Sequence, residues 1–281
     1  MIEKRVYRDY IQAELDQNYD QSTLVKNLSD YVERWRKEVE RAKATLACRL
    51  GVSYGHNLDQ VMDIYGVSEG ASKPIILNLH GGAWRRMSAA TSASPAPAFV
   101  RVGALFAVPD FSLAPDVPLD EMVRQCREAL QYLLANARQY GGDPTRLYVL
   151  GHSSGGHLAA MVAQQETSVK AIATCSGIYD LEPVRLSARN EYLFLDQEAA
   201  HRNSPISHIS GTTPPALVAW GGHELPEFQR QAKMFVEALE AQALKVTALQ
   251  VPEQNHFDIL DHLADENSAL FQEIMKWFDL K

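Results

Sequence analysis

The chain has 281 residues, 46% of them hydrophobic and 22% charged, and carries a formal net charge of −8. Such a length suits one large α/β domain with a substantial core, while the ordinary composition does not separate an enzyme from a binding module. The acidic balance and the lack of a long Lys/Arg run argue against nucleic acid as a partner, because phosphate binding needs a basic patch. The opening stretch, MIEKRVYRDYIQAELDQNYD, interleaves charges with apolar residues and lacks the apolar core of a secretory signal. With no uninterrupted apolar span of about 18 residues, a soluble, cytoplasmic protein that makes no use of a membrane is expected. Cys48, Cys126 and Cys175 are odd in number, far apart and without paired metal-ligand spacing, so neither a disulfide framework nor a metal site is expected.

Residues 1–50 read as an N-terminal helical extension. The run STLVKNLSDYVERWRKEVERAKATLACRL forms one or two amphipathic helices, with Ser22 or Thr23 as a cap. Apolar runs of strand length then alternate with helical stretches. PIILNLH (74–80) and ALFAVPDF (104–111) read as strands, 119–140 as a helix, RLYVLGH as a strand and the segment after Gly156 as a helix. VKAIATCSG (169–177), PALVAWGG (215–222) and KVTALQVP (245–252) complete the strands, with helices over 227–242 and at the end, to Trp277. This alternation predicts a mostly parallel central sheet with helices on both faces. Two segments interrupt it, SAATSASPAPAF (88–99) and the irregular 180–214, and the second is a candidate for part of a lid.

Chemistry gathers at the ends of these strands. In LYVLGHSSGGHLAAM a strand turns into a helix through GHSSG, which places Ser153 between Gly151 and Gly155 as a candidate nucleophile on a strained turn. A bare glycine-rich turn would account for these five letters about as well. The upstream ILNLHGGAW changes the balance. There the backbone N–H groups of Gly82 and Ala83, with Gly81, can approach a developing oxyanion, joined by that of Ser154 at the start of the helix. His80 reads as a structural hydrogen-bonder.

A serine nucleophile needs a base and an acid that orients it. Of nine histidines, His256 is best placed, in a loop after the last predicted strand. His152 and His157 are too near the elbow, and His201, His208 and His262 lack a strand-end context. For the acid, Glu224 lies just beyond the preceding strand and ranks first, ahead of Asp180 and of Glu227, which follows Pro226 and has a helix-start role available. Trp84 and Tyr179 are aromatic candidates for the substrate pocket, each with simple packing as an equal alternative.

HGGAW and GHSSGGHLAAM resemble the α/β-hydrolase fold, in particular its branch related to hormone-sensitive lipase. SGIYDLEP (176–183), RNSP (202–205), PEFQRQ (226–231) and HFDI (256–259) resemble the kynurenine formamidases, or arylformamidases, and the likeness runs from Val61 to the C-terminus. The resemblance implies a catalytic domain over 51–281, with 1–50 as an extension or cap. It also implies a Ser, acid, His triad that maps onto Ser153, Glu224 and His256, with Glu where the family usually has Asp. Ala83 stands where related animal sequences carry a bulky aromatic, implying a different pocket near the acyl group. The activity implied is serine hydrolysis of an N-formyl or small acyl amide of an aromatic amine, without metal or organic cofactor. A short-chain carboxylesterase and a non-catalytic small-ligand binder of the same fold are the alternatives. A small-molecule substrate is the expected partner, and a homodimer is compatible with the sequence.

Overall fold

A computed structural model describes residues 4–280. Eight strands form a single sheet: β1 (Cys48–Ser53), β2 (Val61–Tyr65), β3 (Lys73–Leu79), β4 (Leu105–Pro109), β5 (Gly142–His152), β6 (Val169–Cys175), β7 (Ala216–Gly221) and β8 (Val246–Val251). Their order is β1-β2-β4-β3-β5-β6-β7-β8. From β4 to β8 every pairing is parallel, whereas β1 and β2 are antiparallel to their neighbours. The mostly parallel sheet is thus observed, and β3 to β8 overlap the six expected runs.

Strand β5 shows why the sheet sits at the centre. Leu147 and Val149 face one apolar core while Tyr148 and Leu150 face the other, as expected of a strand covered on both sides. One core lies under the helices Leu119–Asn136, Ser154–Ala163 and Pro226–Ala241, and the other under Leu28–Thr45, Ala96–Arg101, Asp258–Ala264 and Ala269–Trp277. Each helix contributes a stripe. In Leu28–Thr45, capped by Asn27 through the Ser29 N–H at 3.2 Å, the buried residues Trp35, Val39 and Ala42 recur at helical spacing.

The edge pair β1 and β2 was not expected, and the boundary at residue 50 falls inside β1. The helix stops at Thr45, and CRLGVS is an edge strand with most of its side chains exposed, so no clean alternation marks it in sequence. The extension is also no detached cap. Leu15 and Tyr19 are buried in one core and Trp35 and Val39 in the other, so the N-terminal arm belongs to both layers. Residues 180–214 form three short helices, Glu182–Leu186, Asn190–Leu193 and Gln197–Arg202, and a turn of 3-10 helix, Pro205–His208. They are tied to the arm: Gln12 donates to the Leu186 carbonyl at 2.9 Å, and Asp16 accepts from the Ala188 N–H at 2.7 Å.

Candidate active site

β5 ends at His152 and the helix begins at Ser154, leaving Ser153 alone in the turn with φ 59° and ψ −126°. Backbone of this kind costs a non-glycine residue about 1–3 kcal/mol and persists only where its surroundings over-determine it. Here the Ser153 N–H donates to the Cys175 carbonyl of β6 at 2.8 Å, and its own carbonyl accepts from Gly156 and His157 in the helix. The turn also needs Gly155, because a Cβ at that position would lie 2.0 Å from the Leu79 carbonyl oxygen. The absent side chain lets the elbow close against the end of β3, where the HGGAW loop starts.

Residues from three strand ends meet at the hydroxyl. His256, in the loop after β8, has Nε2 2.9 Å from Ser153 Oγ and Nδ1 2.9 Å from Glu224 Oε2. A carboxylate can only accept, so Nδ1 carries the proton, and Nε2 of the neutral ring is left to accept from the serine hydroxyl. Glu224 is fixed in turn: its Oε1 accepts from the Gly221 N–H at 2.9 Å and from the Ser176 hydroxyl. Both carboxylate oxygens are therefore used by donors, and the extra methylene of Glu is taken up by folding back over the end of β7. Gly221 permits this, since a Cβ there would stand 2.2 Å from the Gln254 carbonyl oxygen in the histidine loop.

The other acids stand elsewhere. Asp180 accepts from the Glu182 N–H at 3.0 Å, at the start of a short helix. Glu227 is fully buried against Arg230, with contacts of 2.5 and 2.9 Å, in the first turn of its own helix. Neither hydrogen-bonds His256.

Gly81 abuts the elbow, with room for a Cβ closed off by the His152 carbonyl at 2.8 Å and Ser153 Cβ at 3.3 Å. Among the described residues, the N–H groups of Gly82, Ala83 and Ser154 have no protein acceptor. Ala83 and Trp84 share the left-handed backbone of Ser153, at φ 54° and 60°, and the Trp84 N–H is held by Ser154 Oγ at 3.2 Å. The two halves of the candidate oxyanion pocket are thus stitched to each other.

The two aromatic candidates are placed as packing residues. Tyr179 is fully buried, stacked on Phe235 at 4.1 Å, with its hydroxyl donating to Thr174 at 2.9 Å, so it belongs to the core beneath the site. Trp84 is 1% exposed and its indole N–H donates to His157 Nδ1 at 3.1 Å. His157 passes this on by donating from Nε2 to the Asn203 carbonyl at 2.7 Å, and burial lowers its pKa to about 4, so it stays neutral. His80, stacked on Phe111, is likewise pushed down to about 4 by burial.

Two contributors were missed from sequence. Ser176 sits one residue past β6 and orients Glu224, with φ 53°. His152 donates from Nε2 to the His256 carbonyl at 2.8 Å and so pins the loop that carries His256; burial and then the neighbouring imidazole drive its pKa well below the ordinary value. The signal available for Ser176 was its place: a polar residue at the carboxyl end of the strand beside the elbow, where open α/β sheets build their sites. The loop carrying His256 is further braced by the N-terminal arm, with Tyr31 donating to Asp258 at 2.8 Å and Phe257 set against Tyr31 and Trp35.

This geometry can be set beside known proteins. The BD-FAE family model matches residues 62–239. A kynurenine formamidase of Danio rerio is 33% identical over 259 residues, covering 88% of this chain and 87% of that protein. The solved structure of a candidate thioesterase from Silicibacter sp. TM1040 superposes with a TM-score of 0.81 at 27% identity, over 92% of this chain and 98% of the other. An esterase from Pyrobaculum calidifontis shares the fold, with a TM-score of 0.74 at 20% identity over 95% and 97% of the two chains. By fold, strand-end site and these matches, the chain belongs to the BD-FAE family and to the kynurenine formamidase family of α/β-hydrolases.

Proposed function

We propose that the protein is a cytoplasmic serine hydrolase that removes a formyl or small acyl group from the nitrogen of an aromatic amine. The hydrogen-bonded series Ser153–His256–Glu224, with 2.9 Å at both links to the imidazole, carries this reading. Ser153 Oγ attacks the carbonyl carbon as His256 Nε2 takes its proton, and the carbonyl electrons move onto the oxygen. That oxygen is received by the free N–H groups of Gly82, Ala83 and Ser154; each such donor is worth about 3–4 kcal/mol of transition-state stabilisation. Glu224 steadies the imidazolium without taking its proton. Collapse of the intermediate breaks the C–N bond, and His256 gives the proton to the leaving amine. Water, activated by the same imidazole, then releases formate or the small acid and restores Ser153. Each of these steps uses groups of the chain itself and water.

The test is a pair of substrates. Purified protein is assayed for kcat/KM on an aryl formamide and on a short-chain ester of matched size. Formamide turnover within a hundredfold of the ester supports the reading, whereas a hundredfold or greater ester preference across several formamides makes the protein a carboxylesterase. Fluorophosphonate labelling separates either enzyme from a binder: the wild type is modified and Ser153→Ala is not.

A further inference from the structure

Most buried charges of this protein have a partner, as Glu227 has Arg230 and Glu224 has His256. Arg189 does not. It lies between the helices Glu182–Leu186 and Asn190–Leu193, is 9% exposed, and has no carboxylate within ion-pair distance among the described residues. Its Nε and Nη2 donate to the Tyr19 carbonyl at 3.1 and 2.7 Å, and Nη2 also to Gln21 Oε1 at 2.5 Å. Nη1 is buried with no acceptor at all. A guanidinium held out of water without an anion costs free energy, and a donor left over adds to that cost. Its depressed pKa, caused first by burial, has the sign expected of an uncompensated charge.

The place of this group links it to the active site. Its Cζ stands 5.9 Å from the ring of Trp84 and 5.9 Å from that of Phe228. Trp84 follows Ala83 in the candidate oxyanion loop, and Phe228 presents its edge to His256 at 4.9 Å. On a chain of net charge −8, two more arginines collect here. Arg85 lies over the ring of Tyr192 at 4.2 Å, and that phenol feels Arg189, Arg85 and Arg86 together.

We propose that Arg189 is a specificity residue, whose free Nη1 receives a carboxylate borne by the aromatic amine of the substrate while Arg85 and Arg86 attract it. The proposal rests on the formamidase reading above for which half of the substrate bears the charge. A formyl group has no atom that could carry it, so the anion belongs to the leaving amine. A guanidinium fork suits a carboxylate, and a charged hydrogen bond formed there would relieve the orphaned donor.

The experiment compares kcat/KM for 2-formamidobenzoate with that for its neutral isostere 2-formamidobenzamide, in wild type, Arg189→Gln and Arg189→Lys. The wild type is expected to favour the anion by about tenfold or more, a ratio that Arg189→Gln brings close to one and Arg189→Lys keeps in part. Because Arg189 also ties down the arm, a purely structural role would lower both rates together and leave the ratio unchanged; that result, or equal rates in the wild type, overturns the proposal. If Arg189→Gln does not fold, benzoate and benzamide are compared as competitive inhibitors of wild-type hydrolysis of a p-nitrophenyl ester. A Ki about tenfold lower for benzoate supports the role and equal Ki values reject it. This readout stands even if no formamide is cleaved, so failure of the formamidase reading and failure of the Arg189 proposal remain distinguishable.

Discussion

The carboxyl edge of the sheet and the arm that lies over it are both buried, yet they are held by different means. At the sheet edge, Ser153, Glu224 and His256 each stand one to five residues beyond a strand, so parallel pairing delivers them to one place with little freedom left. In the cover, Tyr19 and Arg189 meet across 170 residues of chain, and Asp16 and Ala188 across 172. The strand-end cluster is therefore a property of the sheet, whereas the cover depends on the arm and the 180–214 segment finding each other. Positions at the edge are expected to control rate, and positions in the cover to control stability and choice of substrate.

The largest effect is expected at Ser153, the proposed nucleophile. Ser153→Ala should lower kcat by about 10⁴-fold to 10⁶-fold and abolish fluorophosphonate labelling. Glu224→Gln comes next, with a fall of about 10³-fold to 10⁴-fold, because an amide can present its NH₂ to Nδ1 and favour the wrong tautomer. A loss of less than tenfold in steady-state kcat would mean that another acid serves the base. In the arm, Leu15→Ala should remove about 2–5 kcal/mol of unfolding free energy measured in urea, because Leu15 is fully buried in the core. A change below about 0.5 kcal/mol would make the arm a detachable cap and break the comparison.

Acid should act on both regions through the buried histidines. His80 and His157 are held near 4 when folded, while the unfolded chain takes up these protons near the ordinary histidine value of 6.5. The unfolded state binds more protons between those values, so stability is full above about pH 6.5 and declines as pH falls toward 4. Urea unfolding at pH 7.5 and pH 5 should differ by about 4 kcal/mol from this source, about 2 kcal/mol for each histidine. The smallest effect is expected at Ser176→Ala, about a tenfold fall in steady-state kcat from the loss of one donor to Glu224.

Much of the site could be read in the letters because its chemistry depends on local turns. GHSSG places a serine on a strand-to-helix turn, and the order of serine, acid and histidine along the chain narrows the partners to strand ends. What escaped reading depends on contacts between segments. The sequence ranks Glu224 ahead of Glu227, but the Ser176 hydroxyl and the Gly221 N–H that hold Glu224 against His256 come from separate strand ends. Tyr179 and Trp84 read in sequence equally as pocket or packing aromatics, and contacts with Phe235 and His157 draw them into the interior. The edge strand Cys48–Ser53 is legible only once β2 is there to pair with it.

The sequence by itself determined the parallel sheet, the place of the elbow and the residues that meet at it, because hydrophobic periodicity and glycine-relieved turns act over a few residues at a time. Tertiary structure alone decided how Ser176 and Gly221 hold Glu224, how the arm enters both cores, and that Arg189 is buried without an anion. Those outcomes follow from side chains far apart in the chain competing for the same enclosed space, and no short stretch of sequence records who wins.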